Sequence, residues 1–424
     1  MLFALDNISN GNWEDIRTVV CILILVTTKK GSIVRLACIP VFTAILYLQL
    51  WGSSTSASTP FQVSSEGRSL GNYLHHLNLL VLIGVDLKTD ATHSLWSRLK
   101  SAVFYYAFNL RGIGTVHQTK NIPELPRYFR GKSNPKYEFI LRQVTIGFWE
   151  YLVADLGLSL LRRLSDERRS RYYGAGEEWI SWTDGTAAQW RLRFLATLVF
   201  WPTLKVALDI GHRFGSALLT ATSMTSMSEW PPMFGSITSA YKLRNFWGKF
   251  WHQFPRWSLT SYSNLITREW LRIPKQSLFG RYLNNAIVFA LSGAVHLAAN
   301  WKSNIFDGDV GCCLFYLSFV VGYIIEDFIQ HIWNSGKGRM IGTLSPSAMK
   351  KSYSVLPYLE KAVAVAWVLG FLTIVTPWWI YPYLRQQPVL TVPYSFVDTF
   401  GMTNMLSSAG LGAVFLYQVF EARP

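Results

Sequence analysis

Apolar runs long enough to cross a bilayer recur along this chain, and the one from Asn284 to Trp301, NNAIVFALSGAVHLAANW, carries a histidine in its interior. A hydrocarbon core roughly 30 Å thick takes about 20 residues of helix, so this run is a membrane-helix candidate. Wound as a helix, it places Asn285, Phe289, Ser292, His296 and Asn300 on one face, at steps of three and four. Gly293, one turn back from His296, leaves room beside the ring. Ile287, Val288, Ala290, Leu291 and Leu297 remain for lipid or neighbouring helices. An ionisable side chain at membrane depth is costly and by default faces a cavity or a partner. His296 therefore reads either as a structural tie between two helices or as a working imidazole, which titrates near neutrality.

The chain is 424 residues long and 50% hydrophobic, and repeated near-spanning runs at that composition imply an all-α, polytopic membrane protein forming one integral domain over residues 1–424. The formal charge of +15 lies in the segments between apolar runs. There the positive-inside bias and anionic head groups account for it, and nucleic acid is not the expected partner. Cys21, Cys38, Cys312 and Cys313 all sit in apolar runs without zinc-ligand spacing, so they read as small core residues; no metal site and no disulfide framework is expected. The first apolar run follows acidic residues (Asp6, Glu14, Asp15) rather than a basic leader, and Asn7-Ile8-Ser9 is a glycosylation sequon if that end is lumenal.

Apolar segments fall at residues 16–28, 32–51 (with Pro40), 71–86, 190–222 (with Pro202), 284–301, 310–332, 360–380 and 401–420. A mixed segment lies at 95–110 and a long helix is expected over about 138–161. The stretches Ser53–Arg68, 111–136, 162–188 and 223–283 read as loops. Residues 190–222 fit one kinked span or a span plus a re-entrant piece, and Trp378-Trp379 suits the membrane boundary. The sum is about eight or nine transmembrane helices. Arg111, Lys120, Arg127 and Arg130 share a side with Lys242, Arg244, Lys249, Arg256 and Lys275, taken as cytosolic, whereas Arg162, Arg163, Arg168, Arg169 and Arg171 then fall opposite. No internal repeat of the transporter kind is present.

A second stretch, residues 230–253, reads WPPMFGSITSAYKLRNFWGKFWHQ. Pro231-Pro232 breaks the preceding helix. The aromatic and basic residues that follow suit an interfacial anchor, or a site where Lys and Arg meet phosphate. Phe246-Trp247-Gly248-x-x-Trp251-His252, followed some forty residues on by Ser292-Gly293-x-x-His296, resembles the membrane-bound O-acyltransferase superfamily. The likeness is to its wax-synthase-like branch, which includes fungal acetyltransferases of terpenoid and meroterpenoid pathways. Arg111-Gly112-Ile113-Gly114 with Asn121-Ile122-Pro123, Trp230-Pro231-Pro232 with Phe234-Gly235, and Glu326-Asp327 with Gln330 carry the resemblance further, over roughly residues 105–335. Plant members have Asn after the Trp of the motif, where this chain has His252.

The resemblance implies helices enclosing a tunnel, in which an acyl group passes from coenzyme A to an alcohol. His296 would act as general base on the hydroxyl, and His252 would donate to the oxyanion or orient the thioester. Ser292 and Asn300 share the His296 face and are candidates to set its tautomer. Lys242, Arg244, Lys249 and Arg256, with Trp247 and Trp251, are candidates to hold the coenzyme, with membrane anchoring as their plain alternative. Glu326-Asp327 is expected to pair with a basic loop, and the 111–114 segment to be a structural turn. Acetyl-CoA would be a cosubstrate, with no permanently bound cofactor, a hydrophobic alcohol the acceptor, and the endoplasmic reticulum the location. A wax or sterol ester synthase using long-chain acyl-CoA is the near alternative. A transporter with a histidine relay and a prenyltransferase are the distant ones; the latter lacks a second acidic cluster beside Asp86 and Asp90.

Overall fold

The computed structural model describes residues 10–51, 60–87, 94–107, 109–129, 132–162, 166–181, 183–302, 305, 308–342, 346–385 and 392–421. Asn7, Asp90, Arg130 and Arg163, raised above, lie outside the described residues. In chain order the α-helices are α1 (Asn10–Thr27), α2 (Ile33–Trp51), α3 (Pro60–Leu77), α4 (Leu95–Ser101), α5 (Pro135–Arg162), α6 (Asp166–Tyr173) and α7 (Ala187–Ala221). They continue with α8 (Leu243–Asn245), α9 (Arg256–Asn264), α10 (Leu278–Lys302), α11 (Asp309–Gly342), α12 (Pro346–Arg385), α13 (Phe396–Phe400) and α14 (Met402–Leu416). Among the described residues five helices are long and apolar enough to cross a membrane: α2, α7, α10, α11 and α12.

Three expectations change, and the alternative left open for residues 190–222 is resolved as one helix. The Ser53–Arg68 stretch is helical from Pro60, a residue whose fixed φ suits the first helical position. Residues 223–283 are not one loop but a series of short turns and helices, including α9 and a π-helical turn over Leu265–Trp270, and α10 already begins at Leu278. Residues 190–222 form a single continuous helix with Pro202 inside it. Trp379 is buried against Phe200, with ring centroids 5.6 Å apart, and α12 runs past it to Arg385.

The chain divides into two compact units. Met1–Lys120 and Gln253–Leu317 form the first. Its core joins Cys21, Leu25, Cys38, Phe42, Leu79, Leu80 and Trp257, and Cys21 and Cys38 are indeed small buried core residues. Polar groups stitch this apolar core. Arg17, fully buried, donates to Gln49 Oε1 at 2.8 Å and to the Ser69 carbonyl at 2.7 Å, tying α1, α2 and α3. Arg35 donates to the Val85 carbonyl at 2.7 Å and the Thr28 carbonyl at 2.8 Å. A guanidinium presents several donors in a fixed fork, so one side chain closes several backbone ends at once. The predicted turn at 111–114 is present, with Gly112 and Gly114 both left-handed (φ +63° and +77°).

Asn121–His252 and Ser318–Pro424 form the second unit, built on α5 packed along α7, with α12 against α7 and α14 against α5. The α5–α7 approach is close: a Cβ on Gly157 would lie 2.2 Å from Thr203 Oγ1. Between the same two helices lies a quartet of charges, three of them buried and Lys205 partly exposed. Lys205 reaches Glu150 at 2.7 Å and Asp209 at 3.2 Å, while Arg213 reaches Asp209 at 2.8 Å. Two cations facing two anions bring no net charge into the low-dielectric interior, the condition under which buried ions are tolerated.

Outside the spans, Glu178 accepts two hydrogen bonds from Arg385, each 2.8 Å. Burial alone would raise the Glu178 carboxyl, but the Arg385 bonds outweigh it and hold the group below the usual carboxylate range. A depressed carboxyl stabilises the fold above its unfolded pKa of about 4.3, and the contribution is lost as pH falls through the folded value. The unfolding temperature of the detergent-solubilised protein should therefore drop on acidification below about pH 4.3, and Glu178→Gln should flatten that drop while lowering stability at neutral pH. An unchanged acid profile in the variant would contradict this.

Candidate active site

The aromatic-basic motif begins as α8 and continues as a π-helical turn, Phe246–Phe250. A short irregular segment has backbone groups that no ladder satisfies, and distant residues supply partners for them here. Glu326, on α11, accepts from the backbone N–H of Leu243 at 2.9 Å and of Arg244 at 3.4 Å. Asn121 donates its side-chain amide to the Gly248 carbonyl at 2.9 Å. The backbone N–H of Gly235 donates to the Phe250 carbonyl at 2.9 Å. The Asn121, Phe234-Gly235 and Glu326-Asp327 segments, separate in sequence, therefore converge on residues 243–250.

The side chains form an aromatic cluster. Phe246 stacks on Trp251 at 5.7 Å with planes 13° apart. Trp201, on α7, meets Trp251 edge-on at 4.8 Å, and Trp247 meets Phe319 edge-on at 5.0 Å. Phe234 packs edge-on to Trp251 at 5.2 Å and to His252 at 5.8 Å. Edge-to-face contacts satisfy the ring quadrupoles and restrict each ring to one orientation. The His252 imidazole is thus half-buried, at the end of a rigid aromatic wall.

The basic candidates are in different situations. Arg244 pairs with Asp327 at 2.8 Å, and Lys242 donates to Gln330 at 2.8 Å. Glu326-Asp327 thus meets a basic segment, as its sequence suggests. Lys249 is exposed. Arg256 belongs to the first unit, where it opens α9 and donates to Gln253 Oε1 at 2.7 Å.

His296 also belongs to the first unit, on α10. Phe289 and Asn300 on its face are buried, while His296, Ser292 and Asn285 are half-buried, as are Ile287, Val288, Leu291 and Leu297 off that face. The space beside Gly293 is taken by Tyr316, which stacks on the His296 ring at 5.0 Å with planes 15° apart. Asn300 turns its side-chain amide toward Asp309, 3.3 Å away, and the Trp301 indole donates to the same carboxylate at 2.8 Å. Trp201, Lys205 and Tyr316 were not singled out by sequence reasoning. The one available signal was Trp201, Lys205, Asp209 and Arg213 recurring every four residues in an otherwise apolar helix.

Residues 230–317 match the model of the membrane bound O-acyl transferase family. Acetyltransferase nanB of Aspergillus nanangensis is 46% identical over 95% of this chain and 96% of its own. Acetyltransferase cdmC of Talaromyces verruculosus is 41% identical over 99% and 100%, and acetyltransferase TRI7 of Fusarium sporotrichioides is 34% identical over 81% and 79%. No solved structure matches the chain. The chain belongs to the membrane bound O-acyl transferase family, and with its apolar helices it is an integral membrane O-acyltransferase.

The Gly235 contact offers a test of the convergence. A Cβ there would lie 2.0 Å from the Lys249 carbonyl oxygen, and backbone on both sides leaves nothing flexible to yield. Gly235→Ala should depress acyl transfer sharply and lower the unfolding temperature, whereas alanine at Gly248, which has open space, should be tolerated for folding. Equal unfolding temperatures for the two variants would count against the packing described.

Proposed function

We propose that this protein is an O-acetyltransferase that moves the acetyl group of acetyl-CoA to a hydroxyl of a hydrophobic secondary metabolite, a terpenoid or meroterpenoid, at the endoplasmic reticulum membrane. The observation that carries the reading is full-length similarity to proteins named acetyltransferases, together with the convergence of separate segments on the motif at residues 243–252. The whole chain acts as one integral domain whose eight or nine membrane helices enclose a tunnel for both substrates.

The reaction makes one C–O bond and breaks one C–S bond. A hydroxyl is a weak nucleophile near neutral pH, so a base must take its proton as it attacks the thioester carbon. His296 takes this role: it is a half-buried imidazole on the polar stripe of α10, stacked on Tyr316. General-base assistance is typically worth about 10²–10⁴-fold. His252 donates to the carbonyl oxygen as negative charge develops there, its ring held against Phe234. Coenzyme A thiolate leaves, and its phosphates meet Lys242, Arg244 and Lys249 beside Trp247 and Trp251, with Arg256 as a further phosphate ligand. No metal or resident cofactor enters this scheme.

Membranes carrying the protein, incubated with a hydrophobic alcohol acceptor and labelled acetyl-CoA or long-chain acyl-CoA, should transfer acetyl in preference. His296→Ala should lose transfer by at least about 10²-fold while inserting normally. Near-normal turnover in that variant would remove the base from the mechanism, and a preference for the long chain would replace acetyl transfer with ester synthesis.

A further inference from the structure

The charge quartet between α5 and α7 is more than a neutral structural knot. Its four members are not equivalent. The side chains of Glu150 and Asp209 are 1% exposed and that of Arg213 10%, whereas Lys205 is 24% exposed. Arg213 is directed into the helix pair, with a further donation to Gln143 Oε1 at 2.8 Å. Lys205 leaves the pair. Its ammonium, held by Glu150 at 2.7 Å, lies over the face of Phe234, 5.4 Å from the ring centroid. Phe234 is the ring that stands edge-on to both Trp251 and His252.

The same face of α7 carries Trp201, one turn before Lys205, and Trp201 packs directly on Trp251 at 4.8 Å. So α7 supports the end of the motif twice: Trp251 through Trp201, and His252 through Lys205 and Phe234. Phe234 needs such support. It follows Pro231-Pro232 in a stretch without regular helix, where the Gly235 N–H bond to the Phe250 carbonyl ties the next residue's backbone but leaves the Phe234 ring to be held by its side-chain neighbours. A cation over a ring face is attracted by the ring quadrupole, more strongly where water is excluded. We propose that Lys205 is a positioning residue for acyl transfer, acting through Phe234 on the His252 ring. The inference rests on the reading of His252 as a group that meets the thioester.

Two paired replacements separate positioning from stability. Lys205→Met with Glu150→Gln removes one cation and one anion and leaves the Arg213–Asp209 pair. Arg213→Met with Asp209→Asn removes the same charges and leaves Lys205–Glu150. Both are neutral exchanges, so both should change the unfolding temperature similarly. In full-length protein in membranes, the first pair should lower kcat about tenfold or more with little change in KM for acetyl-CoA, since small misplacements of a catalytic group carry losses of that size. The second should keep kcat within about twofold, and Lys205→Arg alone should retain most of the rate. Equal kcat losses in both pairs, or no loss in the first, overturn the proposal.

A readout without turnover keeps the inference distinct from the reading beneath it. Carbethoxylation of His252, mapped by mass spectrometry, should speed up in the first pair and not in the second. Unchanged reactivity overturns positioning. Full turnover in His252→Ala would instead overturn the catalytic reading of that residue, and the reactivity comparison would still decide whether Lys205 holds the ring. If the paired variants fail to insert, Phe234→Leu, which leaves every ion pair intact, should reproduce both the kcat loss and the reactivity gain; its failure to do so overturns the proposal.

Discussion

The carboxylate of Glu326, set against two backbone N–H groups at the start of α8, is the interaction on which the motif's shape depends. In a water-poor environment an unmet backbone donor costs on the order of 1–3 kcal/mol, and an irregular segment exposes several. Residues 243–250 are irregular, running from a single helical turn into a π-turn. They persist because three side-chain or backbone groups from elsewhere in the chain reach them. An acid on α11 can accept from two successive backbone donors at once, one on each carboxyl oxygen, which a single carbonyl placed there could not match in geometry.

The same logic governs the charges deeper in the protein. Arg17 and Arg35 close backbone and side-chain acceptors in the first unit, and the Glu150–Lys205–Asp209–Arg213 quartet balances itself in the second. Taking away one member of such a set leaves an unpaired buried ion, which costs about 3–5 kcal/mol, whereas removing a balanced pair costs much less. Among the described residues, buried charge is thus met either by backbone and amide acceptors or by opposite charge. These contacts hold helices together, and the quartet also reaches the aromatic wall beside His252.

Aromatic residues do the finer work. Trp201, Phe234, Phe246, Trp247 and Trp251 meet mostly edge to face, with Phe246 and Trp251 stacked as the exception. Rings locked this way hold an imidazole in one orientation, and preorganisation is what an acyl transfer needs where a charge develops on oxygen. At His296 the partner is a stacked Tyr316, approached across Gly293. The two histidines thus have different aromatic surroundings, one beside the cluster around Trp251 and one against a stacked tyrosine.

Hydrophobic runs and residue spacing determined much of this without any coordinates. The membrane character and the helix containing His296 follow from apolar length and helical spacing, because a helix turns by a fixed angle and apolar length must match bilayer thickness. The family was legible in the Phe246–His252 and Ser292–His296 spacings, which are local. The tertiary structure alone decided which residues surround them. Nothing in sequence order says that Glu326 caps residue 243, that Asn121 reaches Gly248, or that Lys205 lies over Phe234. Helix continuity through Pro202, and the helix from Pro60 where a loop was expected, likewise appear only in the folded structure. Local pattern fixes what a segment can become; partners distant in sequence are chosen by which buried donors and charges must find each other once water is gone.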